Sequence, residues 1–122
     1  MRKTIQLAMM LVMVCSIAKA QGLKDAYKNY FKIGVAVNLR NVTTPEQMDL
    51  IKKEFNSVTA ENDMKPEPTE PKEGEFNWEN ADKIANFCRA NGIKMRGHCL
   101  MWHSQIGKWM TDSCRFGIVL DV

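Results

Sequence analysis

Apolar residues recur along this chain with two alternating periods, and the alternation predicts its architecture. Leu23, Ala26, Tyr27 and Tyr30 stand at i, i+3, i+4 and i+7, the spacing of one helical face, so a short amphipathic helix is expected there. Ile33 to Val37 is rich in β-branched residues, the composition of a strand, and Gly34 and Ala36 keep one of its faces small, as a crowded sheet interior requires. Thr44-Pro45-Glu46-Gln47 reads as a helix start: Thr44 caps, Pro45 suits the first turn, and Gln47 reaches back to complete a capping box. Met48, Ile51 and Phe55 supply the buried stripe of that helix. A second strand is expected from about Asn56 to Ala60, then a proline-rich acidic loop from Pro66 to Gly74. Ala81, Ile84, Ala85 and Cys88 predict a third helix, which Asn91-Gly92 stops, and a third strand follows from about Ile93 to Leu100.

This order, with its short connections, predicts an α/β fold with parallel strands and right-handed crossovers. Three such units close neither a doubly wound sheet nor a barrel, and no sequence motif repeats between them.

Residues 1–20 follow a different pattern. Arg2 and Lys3 precede a nearly unbroken apolar stretch from Leu7 to Cys15, and Ala18-Lys19-Ala20 offers a small-x-small cleavage site. That is the order of a secretory signal peptide, which predicts a secreted or periplasmic product beginning at Gln21. The apolar run is shorter than the ~20 residues of a membrane-spanning helix, so no membrane partner is expected after signal removal. Val14, where lipoprotein processing wants a small residue, argues against a lipid on Cys15.

Composition adds two exclusions. With 45% hydrophobic and 25% charged residues the chain is of the globular class. The leader holds three of the 17 basic residues and none of the 14 acidic ones, so the rest balances at 14 against 14 and gives a nucleic-acid partner no electrostatic footing. Cys88, Cys99 and Cys114 are too few and too scattered for a disulfide framework, which leaves stability to packing.

In parallel α/β sheets, binding and catalytic groups collect at the C-terminal ends of strands, where the loops converge. Here those ends are unusually polar. One is Thr59-Ala60-Glu61-Asn62-Asp63-Met64-Lys65 and the other runs from Arg96-Gly97-His98 through Trp102-His103-Ser104-Gln105. These two segments, with Phe55-Asn56-Ser57-Val58 before the first, Gly74-Glu75-Phe76-Asn77-Trp78 and Ala81-Asp82 between them, and Asn91-Gly92 ahead of the second, resemble glycoside hydrolase family ten. The resemblance covers residues 23 to 110 and is specific, because several spaced signatures occur in the right order.

The family's members are mostly retaining endo-β-1,4-xylanases on a (β/α)8 barrel, so the resemblance implies the first three units of such a barrel over residues 21–112. Residues 113–122 diverge from the pattern. It also implies that Glu61, Asn62, Lys65, His98, Trp102 and Gln105 line the glycone side of a cleft for xylan or xylo-oligosaccharides, without a cofactor, in a protein that is monomeric when complete. Sugar hydroxyls both donate and accept, so carboxylate, amide, ammonium and imidazole groups can read them, while an indole face covers the apolar side of a ring.

Each residue also has a plainer explanation. Glu61 and Lys65 suit a solvated surface pair, Asn62 a turn, His98 a hydrogen-bonded core position, Trp102 packing and Gln105 the surface. Trp78 and Trp109 are read as packing residues and His103 as a buried structural partner. A zinc site among Cys88, His98, Cys99, His103 and Cys114 lacks paired ligand spacing, and in a strand running through Trp102 the adjacent His98 and Cys99 would point to opposite faces. The sequon Asn41-Val42-Thr43 identifies no chemistry.

Retaining glycoside hydrolysis requires two carboxyl groups ~5 to 5.5 Å apart. In the family these follow the fourth and seventh strands, the acid/base one within an Asn-Glu pair, and this sequence contains no Asn-Glu dipeptide. No catalytic residue is therefore assigned, and Glu61 is reserved for substrate hydroxyls. Two expectations stand side by side: part of a secreted endo-xylanase that is inert by itself, or a noncatalytic sugar binder or unfolded remnant of one.

Overall fold

A computed structural model describes residues 21–112; the leader with its Cys15, and the divergent end with Cys114, lie outside the described residues. Helix α1 (Leu23–Ala26) leads to strand β1 (Gly34–Val37), a 3-10 helix (Leu39–Val42), helix α2 (Pro45–Glu54) and strand β2 (Ser57–Ala60). Helix α3 (Pro66–Thr69), helix α4 (Glu79–Ala90), strand β3 (Lys94–Arg96) and helix α5 (Lys108–Asp112) complete the order.

The strands form one parallel sheet in the order β1-β2-β3. Gly34 pairs with Ser57 and Ser57 with Lys94, while Val35, Val58 and Met95 align in the next row. Because side chains alternate across a strand, one face carries Val35, Val37, Val58, Ala60 and Met95. That face meets α2 and α4 in a core of Val37, Val42, Ile51, Val58, Ile84, Phe87 and Cys88, with Met48 and Met64 packed against it. Burial raises the pKa of the Cys88 thiol.

α2 begins where Pro45 predicts, but its cap differs from expectation. Thr44 makes no side-chain capping bond, and Gln47 Oε1 instead accepts from Asn41 Nδ2 at 2.7 Å. The reciprocal capping box sits one element earlier, between Asn38 and Asn41 at the start of the 3-10 helix. α4 buries Ala81, Ile84, Phe87 and Cys88. It ends as the sequence predicts: Gly92 takes φ +63°, and the Ile93 amide donates to the Cys88 carbonyl at 2.9 Å, a Schellman closure that only a left-handed residue permits cheaply.

Three expectations are corrected. The apolar stripe over Leu23 to Tyr30 forms only a four-residue helix, and Leu23, Tyr27 and Tyr30 stay exposed; the segment is held by the Leu23 amide donating to Glu54 Oε2 at 2.7 Å. β3 stops at Arg96, so Leu100 and Met101 belong to an exposed loop and the two-face argument about His98 and Cys99 does not apply. The proline-rich stretch is partly helical, because Pro66 occupies a first-turn position after an extended Lys65.

Candidate functional site

The C-terminal ends of β2 and β3 bring four of the six expected residues into one cluster. Lys65 anchors it: the residue is buried at 6% exposure, and an ammonium removed from water needs acceptors. It donates to Asn62 Oδ1 at 2.8 Å and to Gln105 Oε1, and its Nζ stands 4.2 Å from the centre of the Trp102 ring. An ammonium over an indole face at that distance is attracted by the ring quadrupole. Trp102 remains 39% exposed, so it offers surface to a ligand.

Backbone bonds explain how a loop holds this geometry. The turn Asn62–Lys65 closes through the Lys65 amide on the Asn62 carbonyl at 2.9 Å, and α3 is fixed by the buried Thr69, whose hydroxyl donates to the Lys65 carbonyl at 2.8 Å. The Glu67 amide then donates to the Gln105 carbonyl at 2.9 Å, tying α3 to the loop after β3, where Gln105 adopts φ +54°. Trp109 Nε1 adds a second tie, to the Glu70 carbonyl at 2.9 Å.

Glu61 and His98 are placed differently. Glu61 is exposed at the end of β2 and pairs through its backbone amide with the Val37 carbonyl at 2.8 Å, leaving its carboxylate to solvent. The surface pair of Glu61 with Lys65 does not form, since Lys65 is buried on amide partners. His98 is exposed on the loop after β3 and lines a cavity of about 470 Å³ with Met64, Trp78, Ala81, Asp82 and Cys99. Among the described residues no hydrogen bond joins it to the Lys65 cluster.

One further reading needs correction. His103 is exposed, packed edge-on against Trp102 with ring centres 4.8 Å apart, so it is no buried partner. Trp78 is half exposed and stacks on Phe76 at 5.6 Å. Among the described residues no three His, Cys, Asp or Glu side chains are grouped to hold a metal ion, and none of the helices is long and apolar enough to cross a membrane.

Sequence reasoning missed Asp63. Its two carboxylate oxygens accept from Asn80 Nδ2 at 3.0 Å and from the Leu39 amide at 3.2 Å, so one side chain braces the loops after β1 and β2 against α4. Its place directly after Glu61-Asn62 was the available signal, since a carboxylate at a strand end serves loops as readily as ligands.

The sequence model of glycosyl hydrolase family 10 matches residues 22–117. The chain belongs to that family. Similar proteins include an endo-1,4-beta-xylanase/feruloyl esterase of Xylanibacter ruminicola, 63% identical over 93 residues, covering 76% of this chain and 13% of the relative. An endo-1,4-beta-xylanase A of a Caldicellulosiruptor species is 51% identical over 71% of this chain and 13% of its own length. Among solved structures, a psychrophilic family 10 endo-beta-1,4-xylanase is 79% identical at a TM-score of 0.72, over 75% of this chain and 28% of that one. A mutant in complex with xylotriose is 42% identical at a TM-score of 0.69, over 72% of this chain and 26% of that one. The family's solved structures are (β/α)8 barrels, and the parallel sheet with its helices is a part of one. The chain thus spans between about an eighth and just over a quarter of the length of these relatives.

Proposed function

We propose that this chain supplies the glycone side of the substrate cleft of a secreted endo-1,4-β-xylanase. One observation carries the reading: Lys65, Asn62, Gln105 and Trp102 form a single bonded cluster at the strand ends where barrel enzymes bind substrate, in a family 10 chain whose relatives are named xylanases. A preformed ammonium held by two amides keeps a donor in fixed position for sugar hydroxyls, and the exposed part of Trp102 offers a ring an apolar face. Glu61 and His98, both exposed at the same sheet end, add an acceptor and a reversible donor along the cleft.

In this reading Lys65, Asn62, Gln105, Trp102, Glu61 and His98 bind and orient, and do not break the bond. Protonation of the leaving oxygen and attack on the sugar carbon fall to two glutamates of the family's fourth and seventh strands. Residues 1–122 alone therefore bind xylo-oligosaccharides weakly at best and release no reducing sugar from xylan. Export with removal of residues 1–20 places the product where the polymer is.

Grafting tests the assignment: residues 22–117 replace the matching segment of the psychrophilic relative, and Lys65→Ala and His98→Ala are made in the chimera. Each is expected to lower kcat/KM on xylo-oligosaccharides several-fold to a thousandfold, about 1 to 4 kcal/mol of transition-state binding, with the fold intact by circular dichroism. Unchanged kinetics in both variants would remove the site assignment.

A further inference from the structure

The turn that carries Asn62 and Lys65 stands beyond the end of the sheet, so strand pairing does not hold it. The pairing of β1 with β2 ends at Val37 and Ala60, and just past it the Glu61 amide donates to the Val37 carbonyl at 2.8 Å. A parallel ladder continued by one step would take up the Leu39 amide, two residues further along β1. There the chain turns into the 3-10 helix, and Asp63 supplies the missing acceptor from its side chain: Oδ2 receives the Leu39 amide at 3.2 Å. Oδ1 receives Asn80 Nδ2, in the first turn of α4, at 3.0 Å. Among the described residues Asp63 forms no ion pair, so this half-buried carboxylate serves as a two-way acceptor for neutral donors.

Its position in the chain gives the brace a consequence for the site. Asn62, one residue before it, accepts from the Lys65 ammonium, and Met64, one residue after it, lines the cavity of His98 with Ala81 and Asp82 of α4. The Leu39 end is stiff in its own right. The Asn38 amide donates to Asn41 Oδ1 at 2.7 Å, the Asn41 amide to Asn38 Oδ1 at 3.3 Å, and Asn41 Nδ2 to Gln47 Oε1 in α2 at 2.7 Å. Polar contacts therefore run from the start of α2 to the start of α4, and Asp63 is the link that passes between the Lys65 cluster and His98.

We propose that Asp63 is a positioning residue for the sugar: its two bonds set where Asn62 and Lys65 stand relative to His98. The proposal rests on the reading of Lys65 and His98 as sugar-binding residues. An isosteric amide at this position can serve only one of the two donors, because its own NH2 group would face the other. Asp63→Asn thus breaks one arm of the brace at constant size, Asn80→Ala breaks the α4 arm alone, and Asp63→Ala breaks both.

Kinetics of the graft described above, with xylotetraose as substrate, test this. Asp63→Ala is expected to lower kcat/KM roughly ten- to a hundredfold, the scale of a misplacement of about 1 Å, Asp63→Asn and Asn80→Ala several-fold, and Asp49→Asn on the exposed side of α2 not at all. In a Lys65→Ala background, where the turn has no charge left to place, Asp63→Asn should cost no more than about twofold. A carboxylate that only stabilises loops would lower Tm and reduce kcat/KM by the same factor in both backgrounds. Circular dichroism of each variant separates misplacement from lost fold, and Asp63→Asn with Asn80→Ala carry the test should Asp63→Ala not fold. Parent kinetics in the Asp63 variants, or equal factors in the two backgrounds, would overturn the proposal and leave the sugar-site reading standing. Parent kinetics in both Lys65→Ala and His98→Ala would overturn that reading and the proposal with it.

Discussion

Removing Gln105's acceptor should destabilise the fold more than removing the charge it serves. Lys65 is 6% exposed, and its ammonium has two amide oxygens and one indole face as partners. In Gln105→Met the ammonium keeps Asn62 but loses one charge-assisted bond, each worth about 1.5 to 3 kcal/mol, so a loss of ~2 kcal/mol is expected. In Lys65→Met the charge leaves together with its desolvation. Two neutral amides are then freed, one on exposed Asn62 and one on half-buried Gln105, where water can reach them, and the loss should stay near ~1 kcal/mol or below. The double variant should resemble Lys65→Met, giving a coupling of about 2 kcal/mol between the two positions. Urea unfolding of the grafted barrel, followed by tryptophan fluorescence, measures all three. Equal losses that add without coupling, or a larger loss in Lys65→Met, would refute the claim that the amides serve a buried charge.

Three further outcomes are expected. A Cβ on Gly107 would stand 2.5 Å from Trp109 Nε1 and 2.9 Å from the Glu70 carbonyl, so Gly107→Ala should break the bond that ties α5 to the loop after α3 and lower kcat/KM in the grafted enzyme several-fold with little change in Tm. The Leu23 amide, aided by Lys53 and Lys24 against burial, holds the Glu54 carboxyl below the usual range; docking of α1 is complete above the ordinary glutamate value of about 4.3 and is lost as pH falls through the lower folded value. The protection factor of the Leu23 amide should fall on acidification, and Glu54→Gln should lower it at neutral pH; protection unchanged in both conditions would contradict the assignment. Mass spectrometry of the exported product should find Gln21 at its start, and a retained leader or a lipid on Cys15 would contradict export as proposed.

Local chemistry made much of the fold legible. Pro45, the Ile51 and Ile84 stripes and Gly92 each demand one backbone arrangement, and each stands where its chemistry requires. Apolar composition misled elsewhere: Leu100, Met101 and Tyr30 read as strand or helix faces but are exposed outside any helix or strand. Short helices escaped for another reason. Two prolines in Pro66-Glu-Pro-Thr signal a loop, yet only the first needs a first-turn position, and Thr69 bonding back to Lys65 makes the turn. At the site, residue types were legible and partnerships were not, since Lys65 meets Gln105 across 40 positions and no local pattern encodes that contact.

Xylan hydrolysis by the graft bears most directly on the central claim. With residues 22–117 in place of the matching segment of the psychrophilic relative, reducing-sugar release from xylan should persist within about tenfold of the parent, a difference of about 1.4 kcal/mol. A cooperatively folded graft that binds no xylo-oligosaccharide and releases no sugar would contradict it.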